Sequence, residues 1–223
     1  MSEIAENFQA VQAEIAKAAS AIGRDPDRVS LVAVSKRQGP ERILPALQAG
    51  HRLFGENRVQ EAQGKWPDLR AAYPDARLHL IGPLQTNKVK EALALFDAIQ
   101  TLDREKLAIA LAKARDQGAA LPDLLVQVNT GEEPQKAGIA PQQAEEFIAH
   151  CRTDLALPVT GVMCIPPVDE EPAFHFGLLA GIQERCGLRD LSMGMSGDYP
   201  TAVSMGATMI RVGTALFGSR PPV

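Results

Sequence analysis

The sequence lacks paired cysteines. Its three, Cys151, Cys164 and Cys186, form no CxxC and share no histidine spacing suited to zinc. An odd count without a secretory leader fits free thiols in a reducing cytoplasm, and no metal site is expected. There is no excess of positive charge either. A formal net charge of −4 leaves no basic footprint for nucleic acid. The N-terminal MSEIAENFQAVQAEI carries acidic residues where a signal peptide needs basic ones and then an apolar block. No apolar run approaches the ~20 residues that span a bilayer, so no membrane partner is expected. No linker or low-complexity segment divides the chain, and no GxGxxG follows the first apolar run, which disfavours an open doubly wound sheet. What remains is the composition of an ordinary soluble globular protein, 45% hydrophobic and 22% charged over 223 residues. That is enough for one full core, so a single domain over 1–223 is the natural count.

Taken in order, the chain alternates strands and helices. Ile4, Phe8, Val11, Ile15 and Ala19 recur at helical spacing in an amphipathic helix from Ser2 to about Ile22, stopped by Gly23 and Pro26. The near-continuous apolar run 29–35 has the pattern of a strand buried on both faces. Further strands are expected at 52–55, 78–81, 97–100, 124–128, 159–163, 191–192 and 207–212. Helices fall between them, among them one from Glu56-Asn57 through Trp66 to Leu69 and one from Gln85 to about Phe96. Crossovers of this size join parallel strands. Eight units close into a (β/α)8 barrel of the TIM type, although about 250 residues is more usual. The last helix is short or missing in this reading, and the first could cover that gap on the outside.

In a barrel, residues at the C-terminal strand ends converge on one mouth. Here they are Lys36, Asn57, His79, Asn129, Met163, Ser196 and Arg211. A lysine at the end of a buried strand loses hydration, which favours a neutral, nucleophilic amine able to form a Schiff base. Taken alone, Lys36 reads more readily as a solvated cation beside Arg37. Alternation along 209–213 points Arg211 away from Ile210 and Val212. A guanidinium so placed serves either an internal salt bridge or a ligand. After the last two strands come 193–197 (MGMSG) and Gly213-Thr214. Glycines let amides crowd together and Ser and Thr add hydroxyls, which is what a phosphate needs, although ordinary strand-to-helix turns use the same residues.

LVAVSK (31–36), FGENRVQE (54–61), HLIGPLQTNKVK (79–90), VNTGEEPQKAG (128–138), GVMCIPP (161–167) and LSMGMSGDYPTAVSMGATMIRVGTALFGSR (191–220) cover nearly the whole chain. In this order and spacing they resemble the pyridoxal phosphate (PLP) homeostasis protein family, small proteins built on the alanine racemase type of barrel. The resemblance implies fold type III without the C-terminal β domain. Lys36 would hold PLP as an internal aldimine, Ser196, Gly213 and Thr214 would cradle its phosphate, and Arg211 would face its pyridine nitrogen. Asn57 and His79 would line the same mouth, and Lys136 matches a family lysine on the long loop after the fifth strand. The Arg37-Gln38-Gly39 run departs from the family's Thr-Lys-Pro, which concerns only how the first loop lies over the cofactor.

An arginine does not surrender its proton, so the ring nitrogen opposite it stays unprotonated and the ring is a weaker electron sink. The chain also has no segment after the last loop for the racemases' second domain, and an open mouth shelters a carbanion poorly. The resemblance therefore implies a cytoplasmic, monomeric carrier or buffer of PLP in vitamin B6 homeostasis. Little or no turnover and no catalytic residue are expected, with apo PLP-dependent enzymes as recipients. A PLP-dependent amino-acid racemase is the alternative, and a Schiff-base aldolase acting on a sugar phosphate is a third. Cys164 is read as a small apolar filler near the mouth, and His51, His150 and His175 as surface or interface residues.

Overall fold

A computed structural model describes residues 2–218. Ser219 and Arg220 of the last motif lie outside the described residues. The elements are α1 (Glu3–Ala21), β1 (Ser30–Val34), α2 (Pro40–Gln48), β2 (Leu53–Glu56), α3 (Val59–Gln63), α4 (Trp66–Ala72), β3 (Arg77–Leu80), α5 (Val89–Leu93), β4 (Ala98–Leu102), α6 (Glu105–Asp116), β5 (Asp123–Gln127), α7 (Pro141–Thr153), β6 (Val159–Met163), α8 (Pro172–Arg185), β7 (Asp190–Ser192), α9 (Tyr199–Ser204), β8 (Met209–Val212) and α10 (Thr214–Phe217). The strands pair in parallel in sequence order, and β8 closes on β1 with Val32 level with Arg211. This is the single-domain barrel that the alternation predicts.

Buried parallel strands divide their side chains between two apolar layers. In β1, Leu31 and Ala33 join the core between sheet and helices, while Val32 faces the barrel interior with Ile81, where both close over Gly55. Helix α1 starts at Ser2, whose hydroxyl accepts from the Ala5 amide at 3.3 Å, and its buried face is Ile4, Phe8, Val11, Ile15 and Ala19. It packs on α2, α9 and α10, and Asn7 donates to the Leu216 carbonyl at 3.0 Å. Because α10 is only one turn, α1 covers the part of the wall that an eighth full helix would otherwise cover.

Two expectations need correction. The helix read from Glu56 to Leu69 is two helices: Glu56 ends β2, and the chain breaks at Gly64-Lys65 before Pro67 restarts it. The break lets Lys65 turn inward, where it is 7% exposed. The helix read from Gln85 shrinks to a 3-10 turn, Thr86–Lys88, followed by the five residues of α5.

Candidate functional site

Lys36 leaves β1 on a turn built over a buried ion pair. The Ser35 amide donates to the Gly55 carbonyl at 3.0 Å, and the Gln38 amide closes the turn on the Ser35 carbonyl at 3.1 Å. Lys36, half-buried, lies between them. Arg37 follows at φ 61°, a left-handed conformation that costs a non-glycine residue about 1–2 kcal/mol. Its amide is held at 2.5 Å by Glu61 Oε1. From beneath, Lys65 Nζ donates to the Ser35 carbonyl at 2.8 Å and the Gln38 carbonyl at 3.1 Å. The same ammonium meets Glu56 Oε1 at 2.8 Å and Glu61 Oε1 at 3.0 Å. Glu56, 0% exposed, also accepts from the Ser35 hydroxyl at 2.6 Å and Trp66 Nε1 at 3.1 Å. Burial pushes its carboxyl above the ordinary range, against the pull of Lys65. Glu61 of the FGENRVQE motif and Lys65 just beyond it thus fix the backbone on both sides of Lys36.

Beside that turn is the loop pair after β7 and β8. Gly213 lies against Val34, where an added Cβ would stand 3.3 Å from Val34 Cβ, so the amine turn and the second loop share one edge of the mouth. The amides of Gly213 and Ala215 converge on Ser196 Oγ at 3.3 and 3.4 Å. These are longer than ordinary N–H···O bonds, so the donors are lightly held. Gly197 has no atom within 4 Å of the place a Cβ would occupy. Light mutual bonds and open space beside converging amides suit an incoming anion better than a turn closed on itself. Thr214, next to them, is exposed.

Arg211 supplies the third part. It is 3% exposed, yet among the described residues no carboxylate pairs with it. Nη1 donates to Ser192 Oγ at 2.6 Å and Nη2 to the Cys164 carbonyl at 2.7 Å. The guanidinium therefore stands across the C-terminal ends of β6 and β7, at the mouth. Burial lowers its pKa, but a guanidinium stays charged. A buried cation touching only neutral oxygens has charge left for a ligand.

A PLP molecule requires an amine, a phosphate site and a partner for its ring nitrogen. Over residues 6–221 the chain matches the family described as alanine racemase, N-terminal domain. It is 40% identical to the pyridoxal phosphate homeostasis protein of Vibrio cholerae, over 99% of this chain and 98% of that one. The chain belongs to the pyridoxal phosphate homeostasis protein family. The family member from Pseudomonas aeruginosa is also 40% identical, over 99% of this chain and 97% of its own. Among solved structures, PipY of Synechococcus elongatus PCC7942, with PLP bound, is 35% identical. It superposes with a TM-score of 0.82 over 97% of this chain and 100% of that one.

Other expected site residues fall differently around this family fold. Asn57 follows β2 and helps line an open cavity of about 880 Å3 with Arg58, Lys88 and Arg104. Its backbone is pressed by Gly82, where a Cβ would meet the Asn57 carbonyl at 2.3 Å. His79 does not line the mouth. It faces the interior one layer below Ile81, 8% exposed, and the charges acting on it belong to Arg77, Asp97, Asp123 and Asp190 at strand starts. Alternation gives the right face but not the height, which depends on how the strands are staggered. Its Nδ1 lies 2.9 Å from Gln100 Nε2, and burial lowers its pKa to about 4. Asn129 ties its own loop, donating to the Glu133 carbonyl at 2.9 Å. Met163 is fully buried. Lys136 pairs with Glu133 at 2.5 Å on that loop. Cys164 is buried, its thiol pushed up to about 12, which fits a filler. His175 is a correction too, being 1% exposed rather than on the surface. Sequence reasoning missed Glu56, Lys65, Gln100 and Ser192; a polar residue inside an apolar strand was the available signal for the last two.

Proposed function

We propose that this chain binds PLP through a covalent bond to Lys36 and carries or buffers it, with little or no turnover. The observation that carries this reading is Arg211, a buried guanidinium at the mouth that touches only neutral acceptors, beside the Lys36 turn and the Ser196–Gly213 cradle. PipY, with PLP bound, supports it at 35% identity, as do the homeostasis proteins at 40%. In this reading Ser196, Gly213 and Thr214 hold the phosphate, Asn57 borders the mouth, and His79 contributes from below. Bound PLP supplies an aldehyde carbon and an electron-withdrawing ring. An arginine donor at the ring nitrogen keeps that ring a weak sink, which favours storage over carbanion chemistry. The reading extends to a cytoplasmic monomer that passes its cofactor to apo-enzymes, and the free cysteines, two of them buried, suit a reducing compartment.

The test is the absorption spectrum of wild type beside Lys36→Ala, before and after PLP. A yellow band in the wild type, trapped by borohydride on Lys36 and lost or shifted in the variant, supports cofactor and anchor together. Rapid exchange of an amino acid's α-proton by the loaded protein would instead favour the racemase. A colourless protein that takes up no PLP refutes the reading and favours the aldolase.

A further inference from the structure

We infer that Ser192, Gln100 and His79 are positioning residues that hold the Arg211 guanidinium at the angle from which it meets the cofactor's ring nitrogen. This rests on the PLP reading above. The four side chains form one continuous line through the barrel interior. Arg211 Nη1 donates to Ser192 Oγ at 2.6 Å, the Ser192 hydroxyl to Gln100 Oε1 at 2.6 Å, and Gln100 Nε2 reaches His79 Nδ1 at 2.9 Å. Branched apolar side chains usually fill such a barrel, and buried polar groups are costly unless each is satisfied.

The bonds in the line share one direction, from Arg211 to Ser192 and on through Gln100 to His79. A guanidinium only donates, so Ser192 Oγ must accept from it. The hydroxyl proton goes to Gln100, whose carbonyl oxygen accepts it at 2.6 Å. The Gln100 NH2 group consequently faces His79, whose Nδ1 must accept. His79 is therefore neutral, with its proton on Nε2, in agreement with a pKa lowered to about 4 by burial. Reversing any one bond would leave two donors or two acceptors facing each other at the next. The line crosses β8, β7, β4 and β3, while the Cys164 carbonyl on the far side of the guanidinium fixes its other nitrogen. An arginine side chain has ample rotamer freedom to lose, and this array restrains it before any ligand arrives.

The experiment measures PLP release and the absorption maximum of loaded protein, together with the melting temperature. Ser192→Ala and Gln100→Met should release PLP about tenfold faster with a shifted band, the scale of a hydrogen bond to a charged group. Ser192→Thr, which keeps the hydroxyl, should stay within about twofold of wild type. In an Arg211→Met background the Ser192→Ala change should have no further effect, because a residue acting through Arg211 has nothing left to position. Since Ser192→Ala can cost folding, His79→Leu and His79→Asn test the far end, with faster release expected only from the leucine, which offers no acceptor. Folded variants that release PLP as wild type does, or effects that multiply in full on Arg211→Met, overturn the inference while the PLP reading stands. A wild type that takes up no PLP overturns both.

Discussion

Replacing Lys65 by methionine removes one ammonium and little volume, and leaves Glu56 buried without its cation. Losing one partner of a buried ion pair costs about 3–5 kcal/mol. The lower end applies to the pair itself, because Ser35 Oγ and Trp66 Nε1 still donate to the same carboxylate oxygen. The Ser35 and Gln38 carbonyls also lose a donor, at about 1 kcal/mol or less each. The sum is about 4 kcal/mol at pH 7, or roughly 10 °C in Tm for a chain of this size. The penalty should depend on pH in a definite direction. Glu56 already sits above the ordinary carboxylate range because of burial, and deleting Lys65 pushes it higher. A carboxyl whose native pKa is raised destabilises the fold only where the unfolded chain is ionised and the native one resists it. That destabilisation is absent below the unfolded value of about 4 and grows as pH rises from there towards the raised native value. Urea unfolding of wild type and variant at pH 7 and pH 5 should show the gap narrowing at the lower pH. The double variant Lys65→Met/Glu56→Gln should recover much of the loss at pH 7. A gap that ignores pH, or a single variant as stable as wild type, refutes the account of this network.

Two further expectations follow from the same physics. His79 is lowered to about 4 by burial, so it destabilises the fold as pH falls from about 6.5 towards 4, by roughly 3 kcal/mol in all. NMR titration should find its imidazole neutral throughout pH 5–8, and His79→Asn should flatten the acid limb of stability; a titration midpoint near 6.5 would contradict the buried placement. Gly197→Val adds side chain where nothing lies within 4 Å, so Tm should hold to within about 2 °C while PLP affinity falls at least tenfold. Unchanged affinity measured by spectral titration would remove Gly197 from the phosphate site.

The parts of this molecule that could be read from sequence are those whose cause is local. Strand β1 is legible because a strand buried on both faces must be apolar throughout, and α1 because its buried face repeats at helical spacing. Lys36, Ser196 and Arg211 stand out because amine, hydroxyl and guanidinium at strand ends are chemically distinctive where they occur. The height of His79 is not local. It depends on the register that sets His79 beside Ala98 at the start of β4 while Ile81 rises above it. Nor is the bond between Gln100 and Ser192, residues 92 positions apart that meet only because the barrel closes. Lys65 illustrates the same limit at short range. On an unbroken helix from Glu56 to Leu69 it would be one more surface cation, and only the break after Gly64 turns it under the Lys36 turn. The residues that perform the chemistry are therefore legible by type, whereas the residues that aim them are defined by contacts between segments. Within this barrel the two aiming networks lie on opposite sides of the sheet, Glu56 and Lys65 outside β2 and Gln100 and Ser192 inside β4 and β7. The amine and the arginine are thus set independently, and a change in one network should leave the other's geometry intact.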